Sequence, residues 1–386
     1  MENSKGTLYS LMQRVQADAA RQEDFVAPTR DLQLSTQEND EGPNQPHIVM
    51  ERSRGVPTKI LATNDVAFQQ IATKADIDIR TARRLRDDYP QHLDGRINDI
   101  WRNEDKGVMV RTYAESGRLS TPRIERGLAR AFVSDAFKTF DNKNFLEASL
   151  PQLMESDARW KVVNGTVTEK KLYLRLRSEA HQGEAAVGDA MALGLLCSNS
   201  ETGHGSVNVQ QLIWTLACLN GMQTQKKMRS THVQSSRGED SWGLLTDEAK
   251  DADNAALALK LRDVVGSFAS RESFDEVLEQ MRNAHLDTVS GGAQDTVSAL
   301  TGILKLPKAA ESKILDGLMA TLGQSGYNTG QVTRATLVNS VTAVANRPDT
   351  NEDDRQDWMR LGAKVLELPR AAWRQVSEAE PVAVAA

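Results

Sequence analysis

A β-hairpin signature between residues 160 and 177 constrains the fold of this chain more than any other segment of its sequence. Asn164-Gly165 separates two runs of strand-forming residues, and this dipeptide favours a type I′ turn because both residues tolerate a positive φ. The second arm alternates, with Leu172, Leu174 and Leu176 on one face and Lys171, Tyr173, Arg175 and Arg177 on the other. Such alternation predicts a strand that packs one face on a core and presents cations and an aromatic ring on the other.

Further runs of strand and helix character surround the hairpin. Three of them are typical of strands: residues 108–113, 128–133 and 191–197. Apolar residues recur with helical spacing over 209–217 and again between 244 and 368. This order predicts an α+β fold, in which an antiparallel sheet with a β-hairpin and a crossing helix precedes a helical C-terminal region.

Composition and periodicity divide the chain into regions. The polar stretch from Ser35 to Pro46 has nothing to bury, which indicates disorder, whereas Asn64 is a suitable N-cap for an apolar helical run. The predicted regions are a mostly disordered N-terminal segment (1–60), a helical lead-in (61–106), an α+β core with the basic hairpin (107–243), a helical C-terminal region (244–376) and a disordered tail (377–386).

The overall charge excludes a uniformly basic nucleic-acid coat protein. The net charge is −6 at neutral pH, so any binding of nucleic acid must depend on a local basic patch. Cys197 and Cys218 both lie in apolar runs and are predicted to be buried free thiols of a reducing compartment. We find no leader segment and no apolar run of membrane-spanning length, so we expect a soluble cytoplasmic protein without a membrane partner.

Two basic clusters are candidates for such a patch. The first belongs to the hairpin: Arg159, Lys161, Lys170, Lys171, Arg175 and Arg177, with Glu169 as the one acid among them. The second contains Arg111, Arg118, Arg123, Arg126 and Arg130. If both lie on one sheet, they form a cationic stripe that grips a phosphate backbone, with Tyr173 placed to stack on a base. An ordinary solvated strand face is the alternative for each cluster taken alone.

The loop from Asn199 to Gly205 is the best candidate for a reaction site. Glu201 and His204 lie close together in it, and its glycines allow backbone N–H groups to approach a phosphate. It lacks the spacing of a Walker motif, and a plain strand-to-helix turn is the simpler interpretation. The six histidines are scattered without His-x-x-x-His or Cys-x-x-Cys pairs, so neither a metal site nor a cofactor is predicted.

Three segments, RAFVSDAFKTFDN (130–142), NSETGHGSV (199–207) and LACLNGM (216–222), occur in this order. Together they resemble the phage/plasmid-like proteins grouped as domain-of-unknown-function family 932. The stretch LVNSVTAVAN (337–346) is similar to the C-terminal helix of that family, so the resemblance covers roughly residues 100–368. The resemblance implies a protein that is encoded by a phage or mobile element and located in the cytoplasm of the host cell. The activity of that family is not established.

The order of hairpin, strand and helix is also similar to the β-β-β-α core of the single-strand annealing proteins of phage recombination. This second likeness is a fold-level analogy. It implies a basic groove that binds the sugar-phosphate backbone and leaves the bases exposed to pair with a second strand. It also implies a homo-oligomer, in which a ring or filament places such grooves end to end.

The leading hypothesis is a non-enzymatic phage or plasmid protein that binds single-stranded nucleic acid. The likeness to the annealing proteins extends this hypothesis to a role in strand annealing during recombination. Its expected contact residues are Lys171, Arg175 and Arg177 for phosphates, Tyr173 for a base, and Arg111, Arg123 and Arg130 for an extension of the track. A non-enzymatic interaction or structural phage protein, such as a virion component or a modulator of host defence, is the second hypothesis. An enzyme that acts on nucleic acid through Glu201 and His204 is the third.

Overall fold

The computed structural model describes residues 2–40, 42–51, 56–115, 124–216, 220–230, 246–324, 326–327 and 330–379. For residues 2–7, 220, 224–230, 247 and 250 it describes the backbone alone. Two β-sheets form the centre of the fold, and helices cover them. This arrangement confirms the predicted α+β class, with an antiparallel hairpin sheet and a helical C-terminal region.

The first sheet has six strands in the order β1-β5-β6-β4-β3-β2. After helix α1 (Glu2–Ala20), its elements follow in the chain as β1 (Phe25–Pro28), β2 (Gln33–Gln37), β3 (Gln45–Met50), β4 (Thr58–Thr63), α2 (Asp65–Lys74), α3 (Ile79–Asp88), α4 (Pro90–Glu104), β5 (Gly107–Ala114) and β6 (Ile124–Ser134). Neighbouring strands are antiparallel except β4 and β6, which run parallel. The side chain of Asn64 accepts a hydrogen bond from the N–H of Ala67 at 2.8 Å, which confirms its predicted capping role.

The N-terminal segment is folded, so the prediction of a mostly disordered region over 1–60 is wrong. Residues of β2 and β3, among them Leu34 and Ile48, are buried in the core beneath the first sheet. Strand β1 pairs with β5, and β4 pairs with β6. Strands β1 and β4 thus obtain hydrogen bonds from elements far along the chain, whereas β2 and β3 pair with neighbouring strands and their core includes α4. Of the predicted disordered tail, residues 380–386 lie outside the described part of the chain.

The second sheet has five antiparallel strands in the order β11-β10-β9-β8-β7. After α5 (Asn142–Glu155), they are β7 (Trp160–Val167), β8 (Leu172–Ala186), β9 (Asp189–Asn199), β10 (Val207–Thr215) and β11 (Asn220–Ser230). The crossing helix predicted over 209–217 is wrong, because most of that segment is β10, whose residues are buried on both faces. A strand that is apolar on both faces also contains apolar residues at helical spacings.

The predicted hairpin is present, but its turn lies elsewhere. Strands β7 and β8 pair antiparallel, and Asn164 and Gly165 both lie within β7. The chain turns instead over residues 168–171, where the N–H of the first donates to the carbonyl of the last at 2.8 Å. A Cβ on Gly165 would lie 2.9 Å from the side chain of Leu11 in α1, so the glycine permits helix packing against the strand.

Helices cover both faces of the second sheet. The remaining helices are α6 (Asp247–Phe268), α7 (Arg271–Leu286), α8 (Ala293–Ile303), α9 (Ala309–Leu322), α10 (Arg334–Ala343), α11 (Glu352–Leu366) and α12 (Arg370–Ser377). The leucine face of β8 packs on α1, α5 and α6. The opposite face of the sheet, which includes Tyr173 of β8 and Trp214 of β10, packs on Met359 of α11. The C-terminal helices therefore cover the strand face that was expected to meet solvent.

Candidate functional site

The cationic face of the hairpin lies largely inside the protein. Arg175 and Tyr173 of β8 are 2% and 4% exposed. Arg175 forms an ion pair with Glu352 at the N-terminus of α11, and the hydroxyl of Tyr173 donates to Asp353 at 2.6 Å. The expectation of a solvent-facing strand is therefore wrong for these two residues, because α11 brings matching acids from a distant part of the chain.

Burial shifts the pKa of both side chains. It lowers the pKa of Arg175, and attraction to Glu352 opposes that shift. It raises the pKa of Tyr173, and the hydrogen bond to Asp353 raises it further. Tyr173 is therefore a neutral hydrogen-bond donor at physiological pH. Both side chains are engaged within the fold, where they hold α11 on the sheet.

Lys171 and Arg177, at the two ends of this face, are half-buried. The Nε atom of Arg177 is buried without a hydrogen-bond partner. Lys171 follows the hairpin turn, and its Nζ lies 3.0 Å from the position that a Cβ on Gly205 would occupy. Of the three hairpin cations expected to contact phosphate, Lys171 is therefore placed beside the loop that follows β9.

Arg111 and Arg130 meet in a buried network of charges between the two sheets. Arg111 of β5 is fully buried and donates to Asp24 at 2.7 Å and to Asp141 at 2.5 Å. It also donates to the carbonyl oxygen of Glu201 at 2.8 Å. Arg130 of β6 donates to the carboxylate of Glu201 at 2.5 Å. Arg111 and Arg130 belong to the first sheet, whereas Glu201 follows β9 of the second. We therefore use the name inter-sheet charge network for these five residues: Asp24, Arg111, Arg130, Asp141 and Glu201.

The network keeps its central pair ionised. Burial lowers the pKa of Arg111, but attraction to Asp141 and Asp24 outweighs burial and raises it above its usual value. Burial raises the pKa of Asp141, but the charge of Arg111 outweighs burial and holds it below its usual range. Burial also raises the pKa of the neighbouring Tyr113 to about 12. Arg111 and Asp141 are therefore both charged at neutral pH.

The two basic clusters do not form one open stripe in the described part of the chain. Arg111 and Arg130 lie in the inter-sheet charge network, and Arg175 lies beneath α11. Arg123, which was expected to extend the track, lies outside the described residues. Arg111, Arg130 and Arg175 are thus opposed by acids from other segments.

A cleft of about 740 Å³ opens between α2 and the end of β6 on one side and the loop after β9 on the other. Its wall includes Lys74 at the end of α2, Lys138 after β6, and residues 203–206 of the loop. We call it the lysine cleft. None of the residues predicted to contact nucleic acid is among its described lining residues.

The loop that forms one wall is held from both sheets. Glu201 ties its start to the inter-sheet charge network. Gln70 of α2 donates from Nε2 to the carbonyl oxygen of Thr202 at 2.6 Å. Gly203 and Gly205 then adopt φ values of 80° and 146°, which residues with side chains rarely adopt. This backbone path turns residues 203–206 towards the cleft.

The lysine cleft is cationic. Lys74, Lys138 and His204 all line it, and neither Asp nor Glu is among its described lining residues. Desolvation, followed by repulsion from Lys106, lowers the pKa of Lys74. Burial lowers the pKa of His204. An anion that enters the cleft therefore meets two ammonium groups, one of which also pairs with Asp253 at 3.4 Å, and no carboxylate among the described lining residues.

An aromatic ring accompanies these cations. Phe137 lines the cleft, is half-buried, and packs its inner side on Val133 and the neighbouring apolar residues of the first sheet. A flat ring next to ammonium groups matches the two parts of a nucleotide, since the base stacks on the ring and the phosphate pairs with a cation.

Glu201 and His204, the predicted reaction site, face different cavities. His204 lines the lysine cleft, whereas Glu201 lines a smaller cavity of about 230 Å³ together with Arg130 and Lys171. Both carboxylate oxygens of Glu201 accept hydrogen bonds, one from Arg130 and one from the backbone N–H of Asn142. Glu201 is therefore engaged in holding the loop.

The sequence indicates the loop of this cleft but does not single out its two lysines. Phe137 and Lys138 lie inside the 130–142 segment, where they stand out by neither spacing nor charge. Lys74 is a single lysine in a helix. The usable signal was the glycine pair around His204, which marks a close approach of backbone to a neighbouring group. Which residues face that loop depends on how the two sheets pack.

No family model matches the chain, and no curated protein or solved structure does so either. Within the described ranges, no helix has the length and apolar character needed to cross a membrane. The same residues contain no group of three or more His, Cys, Asp and Glu side chains arranged to hold a metal ion. The function is therefore inferred from the geometry of the cleft.

Proposed function

We propose that the lysine cleft binds single-stranded nucleic acid, with Lys74 and Lys138 on phosphates and Phe137 against a base. The single observation that carries this proposal is a wall whose described residues include two lysines and an aromatic ring but neither Asp nor Glu. Backbone-tracking cations beside a stacking ring are the two components of single-strand binding sites in general.

The ion pair of Lys138 with Asp253 is weak enough to be exchanged for a phosphate. Lys138 lies 3.4 Å from Asp253, in a pair whose acid is 53% exposed. Such solvent-exposed pairs contribute about 0–1 kcal/mol, whereas a phosphate offers more negative charge and more acceptor atoms. Lys74 lies in the last turn of α2, where a cation also stabilises the helix dipole. A test on Lys74 therefore includes a measurement of stability.

The residues first expected to contact nucleic acid receive supporting roles in this proposal. Arg111 and Arg130 hold the cleft loop through Glu201. Arg175 and Tyr173 hold α11 on the second sheet. Lys171, beside Gly205, is the member of the original set that adds positive charge near the cleft.

The test is fluorescence anisotropy with a labelled single strand of about 16 nucleotides, titrated at several salt concentrations. Each phosphate contact contributes about −0.7 to the slope of log affinity against log salt. We expect Lys74→Ala and Lys138→Ala each to make the slope less negative by about that amount. The control is Arg84→Ala on α3, which removes an exposed cation paired with Asp88 at 3.5 Å.

Equal binding by the wild type and by the Lys74→Ala/Lys138→Ala double variant would contradict the proposal. Urea unfolding of each variant separates loss of binding from loss of fold. If the folded wild type binds no oligonucleotide at low salt, the proposal fails, and the interaction or structural protein of the second hypothesis takes its place.

A further inference from the structure

A second cavity adjoins the lysine cleft. It measures about 430 Å³ and lies between the end of α4, the start of β5 and the end of α2. The two cavities share Lys74, Phe132 and Ser134 as lining residues. Phe132 is fully buried and stacks on Trp101, with ring centroids 5.4 Å apart. The wall that the two cavities share is therefore part of the packed core beneath the first sheet.

The shared lysine stands between two others. Lys138 lines only the first cavity and Lys106 only the second, whereas Lys74 lines both. Lys106 is close enough to Lys74 for their repulsion to lower the pKa of Lys74. The surface therefore presents a row of ammonium groups in the order Lys138, Lys74, Lys106. A row of cations matches a chain of phosphates better than it matches a single anion.

The second cavity is also lined by the acids Glu104 and Asp135, which make it less attractive to a small anion than the first. Lys106 pairs with Glu104 at 2.5 Å, and both side chains are about half exposed or more. Asp135 lies against Gly107, where a Cβ would approach its carboxylate to 2.5 Å. A small free anion therefore prefers the first cavity, whose wall has no described carboxylate. A longer strand anchored there reaches Lys106 at high effective concentration.

We propose that the ligand is an oligonucleotide that runs through both cavities, with Lys74 as the shared contact and Lys106 as the contact for a phosphate further along the strand. This inference rests on the proposed function of the lysine cleft and adds the length of the ligand and the direction of its path. It places the strand across the ends of α2 and β6, from the loop after β9 towards the start of β5.

The test compares a labelled dinucleotide with an oligonucleotide of about eight nucleotides, both measured by anisotropy at low salt. We expect Lys106→Ala to weaken binding of the longer strand by up to about fivefold and to make its salt slope less negative by about 0.7. The same variant should leave the affinity for the dinucleotide unchanged. Lys74→Ala should weaken binding of both ligands.

A matched control is Lys313→Ala on α9, which removes a lysine that also pairs with an exposed acid, Asp349, at 3.4 Å. It should change neither affinity. If Lys106→Ala weakens both ligands equally or neither of them, the path through the second cavity is wrong. In that case the response to Lys74→Ala and Lys138→Ala still decides the function of the lysine cleft separately.

Discussion

Replacing Arg111 by methionine removes the cation at the centre of the inter-sheet charge network. The guanidinium is fully buried and donates to Asp24, to Asp141 and to the carbonyl oxygen of Glu201. Methionine fills a similar volume but removes the nearest cation from the carboxylates of Asp24 and Asp141, which leaves them Arg130, at 3.9 Å from Asp24. Breaking one side of a buried ion pair costs about 3–5 kcal/mol, so we expect the free energy of unfolding to fall by about this amount at neutral pH.

The deficit should depend on pH in a definite direction. In the wild type, Arg111 holds the pKa of Asp141 below its usual range, so Asp141 contributes stability above its unfolded pKa that is lost as the pH falls through its folded pKa. In the variant, burial is opposed only by the attraction of Arg130 and the hydrogen bond from Gln22, so we expect the folded pKa of Asp141 to rise. Protonation then relieves the buried charge, so the difference between variant and wild type should shrink towards acid pH.

Urea unfolding at about pH 7.5 and about pH 5 measures both effects. The control is Arg84→Met on α3, whose partner Asp88 is exposed and lies 3.5 Å away, and for which we expect a change below about 1 kcal/mol. A deficit for Arg111→Met as small as that of the control, or one that is larger at the lower pH, would refute this account of the network.

Three further predictions concern the cleft and the second sheet. Oligonucleotide affinity should rise as the pH falls through the lowered pKa of His204, because the imidazolium adds a cation to the cleft; in His204→Asn, anisotropy titrations should show no such rise. Gly194→Ala places a methyl group against Trp214 and should cost about 1–3 kcal/mol in urea unfolding; an unchanged midpoint would contradict this packing. In the same urea experiment, Arg175→Leu should cost about 3–5 kcal/mol, and adding Glu352→Leu should restore part of it, since no acid is then left without Arg175, although Arg355 loses its contact with Glu352 at 3.8 Å.

Local patterns predict secondary structure well where a run of residues carries its own strand or helix signal. Runs of strand-forming residues indicate β5, β6 and both arms of the hairpin, and the structure contains all of them. The capping side chain of Asn64 marks the start of α2 because it satisfies a backbone N–H within its own turn. Such signals are readable because the physical cause lies within a few residues of the effect.

The same patterns fail where the cause lies far along the chain. Strand β10 is buried on both faces and shows apolar residues at helical spacings. Strands β1 and β4 depend on pairing with β5 and β6. Gly165 reflects the approach of α1 and not the position of the turn. In each case a neighbour that is distant in sequence decides the conformation.

The sequence by itself determined the α+β class, the hairpin strands and the positions of the cations along the chain. Tertiary structure alone decided which cations are matched by acids. Asp141 and Glu352 come from other elements to pair with the buried Arg111 and Arg175. Lys74 and Lys138 converge on a wall without a described carboxylate, and the partner of Lys138, Asp253, is exposed. The physical reason is that electrostatic energy depends on distance in space and on burial, and neither is encoded in the spacing of charges along a strand.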